Sequence, residues 1–184
     1  MTGSFESMIV ETASPESRQL NHTCLRPDLT AGCPPFIFSA MTDAFLSLCR
    51  LRRSVRRFAD RPVERDKIAY CLEAARLAPS ADNVQPWRFI VFDDPGKKQA
   101  IADAVFKGAF TVSRWVAAAP VIVCLLVKEN LLVKLGGGAA GVGLQTLDAG
   151  IAGEHFALAA AEQGIGTCWI GWFDSRACVR HLGL

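Results

Sequence analysis

Apolar residues after position 41 recur with two different spacings, one typical of helices and one typical of buried strands. Four of them share one helical face: Ile68, Cys71, Leu72 and Ala75. This spacing predicts a helix over about residues 64–77, which Pro79 ends because proline cannot continue a helix. By contrast, Pro120 to Val127 is a short run rich in β-branched residues, and it predicts a buried central strand.

The rest of this stretch divides in the same way into helices and strands. Further helices are expected over about residues 43–51, 95–109 and 141–163, and Asp174 is expected to cap a last short helix. Further strands are expected over residues 88–92 and 167–170. Because helices and strands mix without a regular β-α-β alternation, the pattern favours the α+β class over a doubly wound sheet.

The first 40 residues carry no sustained hydrophobic period. Acidic, hydroxyl and proline residues are scattered through them, so we predict that residues 1–40 form a disordered or loosely attached extension and that residues 41–184 form the folded domain. The segment also lacks the basic start and continuous apolar stretch of a signal peptide, and a cytoplasmic location is the resulting expectation. Whether Met41 is the true start of the protein stays open.

The composition limits the kinds of partner. With 184 residues, 51% of them apolar, the chain can bury the core of one domain. Its 20 Lys and Arg against 18 Asp and Glu give a formal charge of +2, which does not suggest a surface built for nucleic acid. The longest uncharged apolar run, Trp115 to Val127, has 13 residues, and a membrane-spanning helix needs about 20. We therefore expect neither a nucleic-acid partner nor a membrane span.

Cysteine and histidine are spaced neither for metal binding nor for a disulfide framework. The seven cysteines are scattered without a Cys-x-x-Cys pair, and the three histidines lie far apart. We expect no metal site, and we interpret the cysteines as small core residues.

The first candidate site is a basic stretch in which five arginines surround Ser54 between Arg50 and Arg57. Guanidinium groups bind phosphate oxygens through paired hydrogen bonds, and a hydroxyl adds a further donor. Arg52, Ser54 and Arg56, at alternate positions, are therefore suited to enclosing one phosphate. A solvated basic surface and a nucleic-acid patch are the alternatives that these residues leave open.

The second candidate site is the polar loop Ala78–Trp87, which joins the helix over about 64–77 to the strand after it. Its prolines stiffen the backbone. Ser80, Asn83 and Gln85 offer donors and acceptors for a polar heterocycle, and Trp87 offers a flat apolar wall. The alternative is a helix stop followed by a turn, with the tryptophan buried in the core.

Together these two stretches resemble the nitroreductase family of FMN-dependent flavoproteins. The sequence RRSVRRF at residues 52–58 corresponds to the basic turn of that family, and APSADNVQPW at residues 78–87 corresponds to its polar loop. The similarity continues through several later segments, residues 119–123, 148–155 and 164–173. It therefore covers about Met41 to Leu184.

This resemblance implies a three-layer α+β fold, with a central, mostly antiparallel sheet flanked by helices, that forms an intertwined homodimer. One FMN would lie in each interface cleft, and both subunits would build each site. By position, the residues that would bind FMN are Arg52, Arg53, Ser54, Arg56, Pro79, Ser80, Asn83, Arg114, Ile170, Gly171 and Trp172.

The resemblance also divides these residues by role. The basic turn would hold the phosphate and the ribityl chain, and the polar loop would reach the flavin from the other subunit. Arg114 would lie near the pyrimidine edge of the flavin, where a positive charge stabilises the anionic reduced ring. Ile170 and Gly171 would end the strand whose backbone amide faces flavin N5, with Trp172 beside them.

The activity implied is an NAD(P)H-dependent oxidoreductase that works by a ping-pong mechanism. NAD(P)H would pass a hydride to flavin N5, and a nitroaromatic, quinone or similar acceptor would then take the electrons. The cofactor carries this chemistry, so no catalytic side chain and no metal are needed. Two alternatives stay open: reductive dehalogenation or flavin fragmentation on the same scaffold, and a non-catalytic remnant that binds FMN or phosphate. The acceptor and the choice between NADH and NADPH are not determined.

One departure from the family concerns the end of the chain. Family members usually continue past the position of Leu184 into another strand and a C-terminal arm that wraps the partner. The strand over 167–170, or its neighbour, is therefore expected to have an unpaired edge. FMN is expected to bind more loosely than in such relatives, and Gly136–Gly138 is expected to form a lid or a bend.

Overall fold

The computed structural model describes residues 5–12, 43–128 and 143–184. The α-helices within them are α1 (Ala44–Leu51), α2 (Arg65–Arg76), α3 (Pro95–Val105), α4 (Leu144–Glu162) and α5 (Ser175–Leu182). The strands are β1 (Phe5–Thr12), β2 (Trp87–Phe92), β3 (Val121–Val127) and β4 (Ile165–Ile170). Two 3₁₀ stretches, Ala81–Asn83 and Gly108–Ala118, lie between these elements. None of the helices described here is long and apolar enough to cross a membrane.

The sheet has the order β2-β3-β1-β4, and each neighbouring pair of strands is antiparallel. Ile90 of β2 lies opposite Cys124 of β3. On the other side of the sheet, Ile9 of β1 lies opposite Cys168 of β4. Helices combined with an antiparallel sheet confirm the predicted α+β class.

Strand β1 differs from what was predicted for the N-terminal segment. Residues 5–12 pair with β3 on one side and with β4 on the other, so this part of the segment lies inside the sheet and is not loosely attached. β4 is the last strand in the sheet order, so the expectation of a sheet edge there is confirmed, although Ser54 bridges to that edge at Thr167. Residues 13–42 and Gly136–Gly138 lie outside the described residues, and a domain start at Met41 stays a prediction.

Strand β3 lies at the centre of the core because its alternate residues face opposite layers of helices. Val121 and Val123 belong to a buried cluster with Phe156 of α4 and with residues of α2. Ile122 and Cys124 belong to a second cluster, formed with α3 and α5. Phe156 is fully buried, and burying such a side chain contributes about 1.5 to 3 kcal/mol. The sheet is thus covered by helices on both faces.

Helix α4 approaches the sheet closely at Gly153. A Cβ atom built at this glycine would lie 2.1 Å from Cη2 of Trp169 on β4, so no larger residue fits without moving the indole ring. Neighbouring positions of the helix carry small buried residues, among them Ala152 and Ala157. The small residues of α4 therefore allow the helix to pack closely on the sheet. Two segments described below, one after α1 and one after α2, are attached to this helix.

Most of the predicted elements are confirmed, but the helix expected over 95–109 ends at Val105. Gly108 has a φ of +56°, a value that an α-helix cannot contain, and the chain continues from there as a 3₁₀ stretch to Ala118. At the other end of the chain, the carboxylate of Asp174 accepts a hydrogen bond of 2.9 Å from the backbone N–H of Ala177. This contact confirms the predicted cap of α5.

Candidate functional site

The basic turn begins where α1 ends and is attached to the outer edge of β4. The backbone N–H of Arg52 closes α1 by donating to the carbonyl of Leu48 at 3.0 Å, and the ψ of Arg52 is then extended, at 124°. Ser54 forms a parallel bridge with Thr167 of β4, and the N–H of Val55 donates to the carbonyl of Thr167 at 2.9 Å. β4 is therefore paired with β1 along its inner side and is contacted by this turn at Thr167 on its outer side.

Ser54 and Arg56 both influence the thiol of Cys168 on β4. Burial raises the pKa of the Cys168 thiol, whereas the positive charge of Arg56 and a hydrogen bond with the side chain of Ser54 act to lower it. Arg53 and Arg56 are exposed. Within the described residues, neither of them takes part in an ion pair. Arg57 likewise has no ion-pair partner there, so in that part of the chain the turn presents three guanidinium groups without a carboxylate partner next to one hydroxyl group.

Arg52 differs from these two arginines because it is attached to α4. Its Nε lies 3.1 Å from Oε1 of Glu154, and the two side chains are 29% and 44% exposed. An ion pair at this exposure contributes about 0.2 to 1 kcal/mol. A phosphate could therefore replace the carboxylate at small cost, and in the present arrangement the pair holds the turn against the helix.

The polar loop has an unusual backbone. Asp82, Asn83 and Gln85 have φ values of 50°, 53° and 47°, so three residues other than glycine adopt the left-handed conformation within four positions. Each such residue costs about 1 kcal/mol or more, and clusters of this kind are typical of functional sites. A loop with this strain needs contacts that hold it in place.

Side-chain hydrogen bonds hold the polar loop in addition to its backbone turns. The hydroxyl of Ser80 accepts from the backbone N–H of Gln85 at 2.9 Å, and the side-chain amide of Gln85 donates to the carbonyl of Arg76 at 3.3 Å. The two carboxylate oxygens of Asp148 on α4 each lie 3.2 Å from the backbone nitrogen of Ala81. Sequence reasoning did not identify Asp148 as a site residue. An acidic residue within a Gly- and Ala-rich helix was the signal that could have found it.

The side chains of the loop differ in exposure. Trp87 is buried, at 7% exposure, so the alternative that placed this residue in the core is correct. Pro79 and Asn83 are exposed and Ser80 is half-buried. The exposed residues of the loop are therefore accessible to a ligand, while the tryptophan anchors the start of β2.

The end of β4 forms the third part of the candidate site. Ile170 is buried, and Gly171 follows it at a position where an added Cβ would have no atom within 4 Å. Trp172 is 57% exposed, and its indole N–H donates to the carbonyl of Ala109 at 3.0 Å. Its ring also lies 5.4 Å from that of Phe110. A fixed aromatic ring therefore adjoins open space beside the main chain.

Arg114 lies on the 3₁₀ stretch and is exposed. Its Nη2 lies 3.1 Å from Oδ1 of Asp103 on α3, so a carboxylate already offsets part of its charge. The side chains in this pair are 64% and 45% exposed. Like the pair of Arg52 with Glu154, such a pair can be broken by a ligand at small cost.

One chain brings only some of the predicted site residues together. Ser54 lies opposite Thr167, three residues before Ile170, a distance of about 10 Å along the strand. The basic turn and the end of β4 are therefore neighbours. Asp148 holds the loop and Glu154 holds the turn, and the two residues are six positions apart on α4. They are therefore separated by about 9 Å along the helix axis and by about 120° around it. The loop and the turn thus contact different faces of this helix.

These residues suit a phosphate-bearing, flat cofactor better than a metal ion. The guanidinium groups of Arg53 and Arg56 and the hydroxyl of Ser54 are donors of the kind that phosphate needs. The open position at Gly171 lets a planar ring approach the backbone. In the part of the chain that is described, no group of three or more His, Cys, Asp or Glu residues is placed to hold a metal.

Comparison with known proteins identifies the family of this chain. A sequence model of the Nitroreductase family matches residues 49–184. A relative from Archaeoglobus fulgidus, provisionally named NADH dehydrogenase/NAD(P)H nitroreductase, is 35% identical over 137 residues, which are 74% of this chain and 72% of the relative.

Solved structures give the same result. A nitroreductase family protein from Clostridium novyi NT aligns with a TM-score of 0.63 at 27% identity, over 76% of each chain. An FMN-dependent nitroreductase from Clostridium difficile R20291 aligns with a TM-score of 0.59 at 27% identity, over 75% of this chain and 78% of its own. The sequence motifs, the sheet and these similarities all lead to one conclusion. The chain belongs to the nitroreductase family, a family of oxidoreductases.

Proposed function

We propose that this protein is an FMN-dependent reductase that takes hydride from NAD(P)H and passes the electrons to a nitroaromatic, quinone or similar acceptor. The observation that carries the proposal is the basic turn, in which Arg53 and Arg56 flank Ser54 on the edge of β4 without an ion-pair partner among the described residues. The same strand ends at the open position of Gly171. A cofactor with a phosphate at one end and a flat ring at the other fits this arrangement.

The basic turn would bind the phosphate end. Arg53 and Arg56 would donate paired hydrogen bonds, and the hydroxyl of Ser54 would add a shorter one. Each charge-assisted contact is worth about 1.5 to 3 kcal/mol, with the lower end expected for exposed groups. Arg52 would join them by leaving Glu154, because their exposed ion pair contributes little.

The end of β4 would bind the ring end. Bound FMN supplies the hydride chemistry in both half-reactions, so the residues of this chain bind and orient. Gly171 leaves room for the backbone to approach the ring, and Trp172 is fixed by its hydrogen bond to Ala109. Arg114 would favour the anionic reduced ring, to a degree that its ion pair with Asp103 reduces.

The proposed reaction is ping-pong, with both substrates using one binding face in turn. The names of the relatives support the reductant and the acceptor class, because the Archaeoglobus fulgidus protein is named for NAD(P)H and for nitro compounds. The Clostridium difficile protein supports FMN as the cofactor, because it is described as FMN-dependent.

We also propose that the working unit is a homodimer in which both copies build each site. In one chain the loop and the basic turn contact different faces of α4, so a second copy is needed to bring a loop to each turn. Helix α1 has no buried residue, and it exposes Phe45, Leu46 and Leu51. The outer face of α4 forms an open groove of about 700 Å³ from Gly143 to Glu154. These apolar surfaces are suited to contact with a second copy.

A spectrum of the purified protein tests the function. After incubation with FMN and gel filtration, the protein should retain flavin absorbance, NADH or NADPH should bleach it without oxygen, and a nitroaromatic compound or quinone should restore it. Sedimentation should give the mass of two chains. Protein that retains no flavin, or flavin that neither nicotinamide reduces, would refute the reductase proposal. A single-chain mass at micromolar concentration would refute the dimer.

A further inference from the structure

Asp148 is the only buried Asp, Glu, Lys or Arg among the described residues, at 4% exposure. A buried carboxylate is unfavourable unless hydrogen bonds compensate for its lost hydration. The compensating donor that the structure gives is the backbone N–H of Ala81, 3.2 Å from each carboxylate oxygen. The two residues are 67 positions apart in the chain, so this contact ties the polar loop to α4.

The contact between Asp148 and Ala81 lies directly next to the residues with left-handed backbone. Ala81 immediately precedes Asp82 and Asn83, the first two of the left-handed residues. Ser80 holds the other end of the strained stretch by accepting from the N–H of Gln85. The two contacts together hold both ends of the stretch, and strained backbone persists only where the surroundings determine it in this way.

We propose that Asp148 is a positioning residue of the flavin site, which acts through the amide of Ala81 to hold Pro79–Asn83 in the conformation that contacts the flavin. This inference rests on the proposed function. A charged acceptor makes a stronger hydrogen bond than a neutral one. A carboxylate at this position therefore holds the loop more firmly than an asparagine or a water molecule would.

Two substitutions separate the hydrogen bond from the charge. Asp148→Ala removes the acceptor, and Asp148→Asn keeps one neutral acceptor oxygen in nearly the same place. Asp94→Ala is the matched control, because Asp94 also accepts a backbone N–H, that of Lys97 at 2.8 Å, but at the start of α3 and away from the loop. All three substitutions are expected to lower the thermal midpoint of unfolding. Each variant is therefore measured at the same number of degrees below its own midpoint, so that differences in overall stability are matched.

The first measurement needs no flavin. Hydrogen exchange measured at the amide of Ala81 by NMR reports this contact directly in flavin-free protein. We expect exchange at least about tenfold faster in Asp148→Ala, an intermediate rate in Asp148→Asn, and an unchanged rate in Asp94→Ala. If Asp148→Ala does not fold, Asp148→Asn provides the test, and a rate equal to that of the wild type would overturn the proposal.

The second measurement separates flavin positioning from general stability. The FMN dissociation constant is expected to rise about tenfold in Asp148→Ala, less in Asp148→Asn, and not at all in Asp94→Ala. In protein saturated with FMN, the reduction potential and the visible spectrum of the flavin are expected to shift with Asp148→Ala, to shift less with Asp148→Asn, and to stay unchanged with Asp94→Ala. Faster exchange with an unchanged dissociation constant and potential would overturn the flavin role. Wild-type protein that binds no FMN would overturn both the proposed function and this role, while the exchange rate would still decide whether Asp148 holds the loop.

Discussion

Replacing Arg56 by alanine tests the assignment of the basic turn most directly. Arg56 is exposed and has no ion-pair partner among the described residues, so its removal breaks no contact of that kind within that part of the fold. A lost charge-assisted hydrogen bond to phosphate costs about 1.5 to 3 kcal/mol, which is about 10- to 150-fold in a dissociation constant. Because the side chain is exposed, we expect the lower end, about tenfold.

Arg57→Ala provides the control for this prediction. Arg57 follows directly in the chain, is also exposed, and carries the same charge, so its removal changes the net charge equally. FMN fluorescence is titrated with flavin-free protein, because the fluorescence of free FMN changes on binding. The titration is repeated at about 50 mM and about 500 mM salt, which screen exposed charges to different degrees.

The two variants give different results only if the phosphate contact is specific. We expect Arg56→Ala to weaken binding at both salt concentrations and Arg57→Ala to have a small effect that disappears at high salt. Equal losses in the two variants would refute the reasoning, because they would show that the turn acts as a general basic surface.

Three further predictions concern the fold. Gly153→Ala should lower the free energy of unfolding by about 1 to 3 kcal/mol in urea denaturation, because the new methyl group would collide with the ring of Trp169; an unchanged midpoint would show that α4 can move away from the sheet. Removing residues 1–12 should abolish cooperative thermal unfolding, because it takes away the strand between β3 and β4; a truncated protein with the same midpoint would contradict the central position of β1. Burial raises the pKa of Cys71 from 9.0 to about 12, so the unfolded chain loses this proton at a lower pH than the folded protein does. The free energy of unfolding should therefore fall as the pH rises from about 9 towards 12. Urea denaturation midpoints measured at pH 8 and pH 10 would check this fall. A higher midpoint at pH 10 than at pH 8 would contradict it.

The elements that the sequence predicted well are those whose signals are local. Helix α2 has a periodic apolar face and a proline after its end, and β3 is a continuous apolar run that the core buries on both sides. Strand β1 was missed because its position depends on pairing with β3 and β4, which lie more than 100 residues away in the chain. The eight residues alone carry too short a pattern to indicate such a pairing.

The candidate site was predicted in residue type but not in its internal contacts. The sequence indicated an anion site in the basic turn, and this assignment stays a prediction. The pairing of Arg52 with Glu154 and of Ala81 with Asp148 could not be predicted, because both contacts join distant segments through α4. Ser80 was interpreted as a polar group that faces a ligand, and its hydroxyl also accepts a hydrogen bond within the loop. The FMN contacts of all these residues stay predictions.

The close approach of α4 to the sheet has a consequence for directed evolution of this protein. Helix α4 contains two glycines, three residues apart, whose surroundings differ. A Cβ atom added at Gly150 would have no atom within 4 Å, whereas one added at Gly153 would collide with the ring of Trp169. In a single chain, alanine at position 150 would gain about 1 kcal/mol of helix propensity. A saturation library of this helix should therefore retain glycine alone at position 153. Depletion of larger residues at position 150 in the same library would indicate a surface that a second molecule covers.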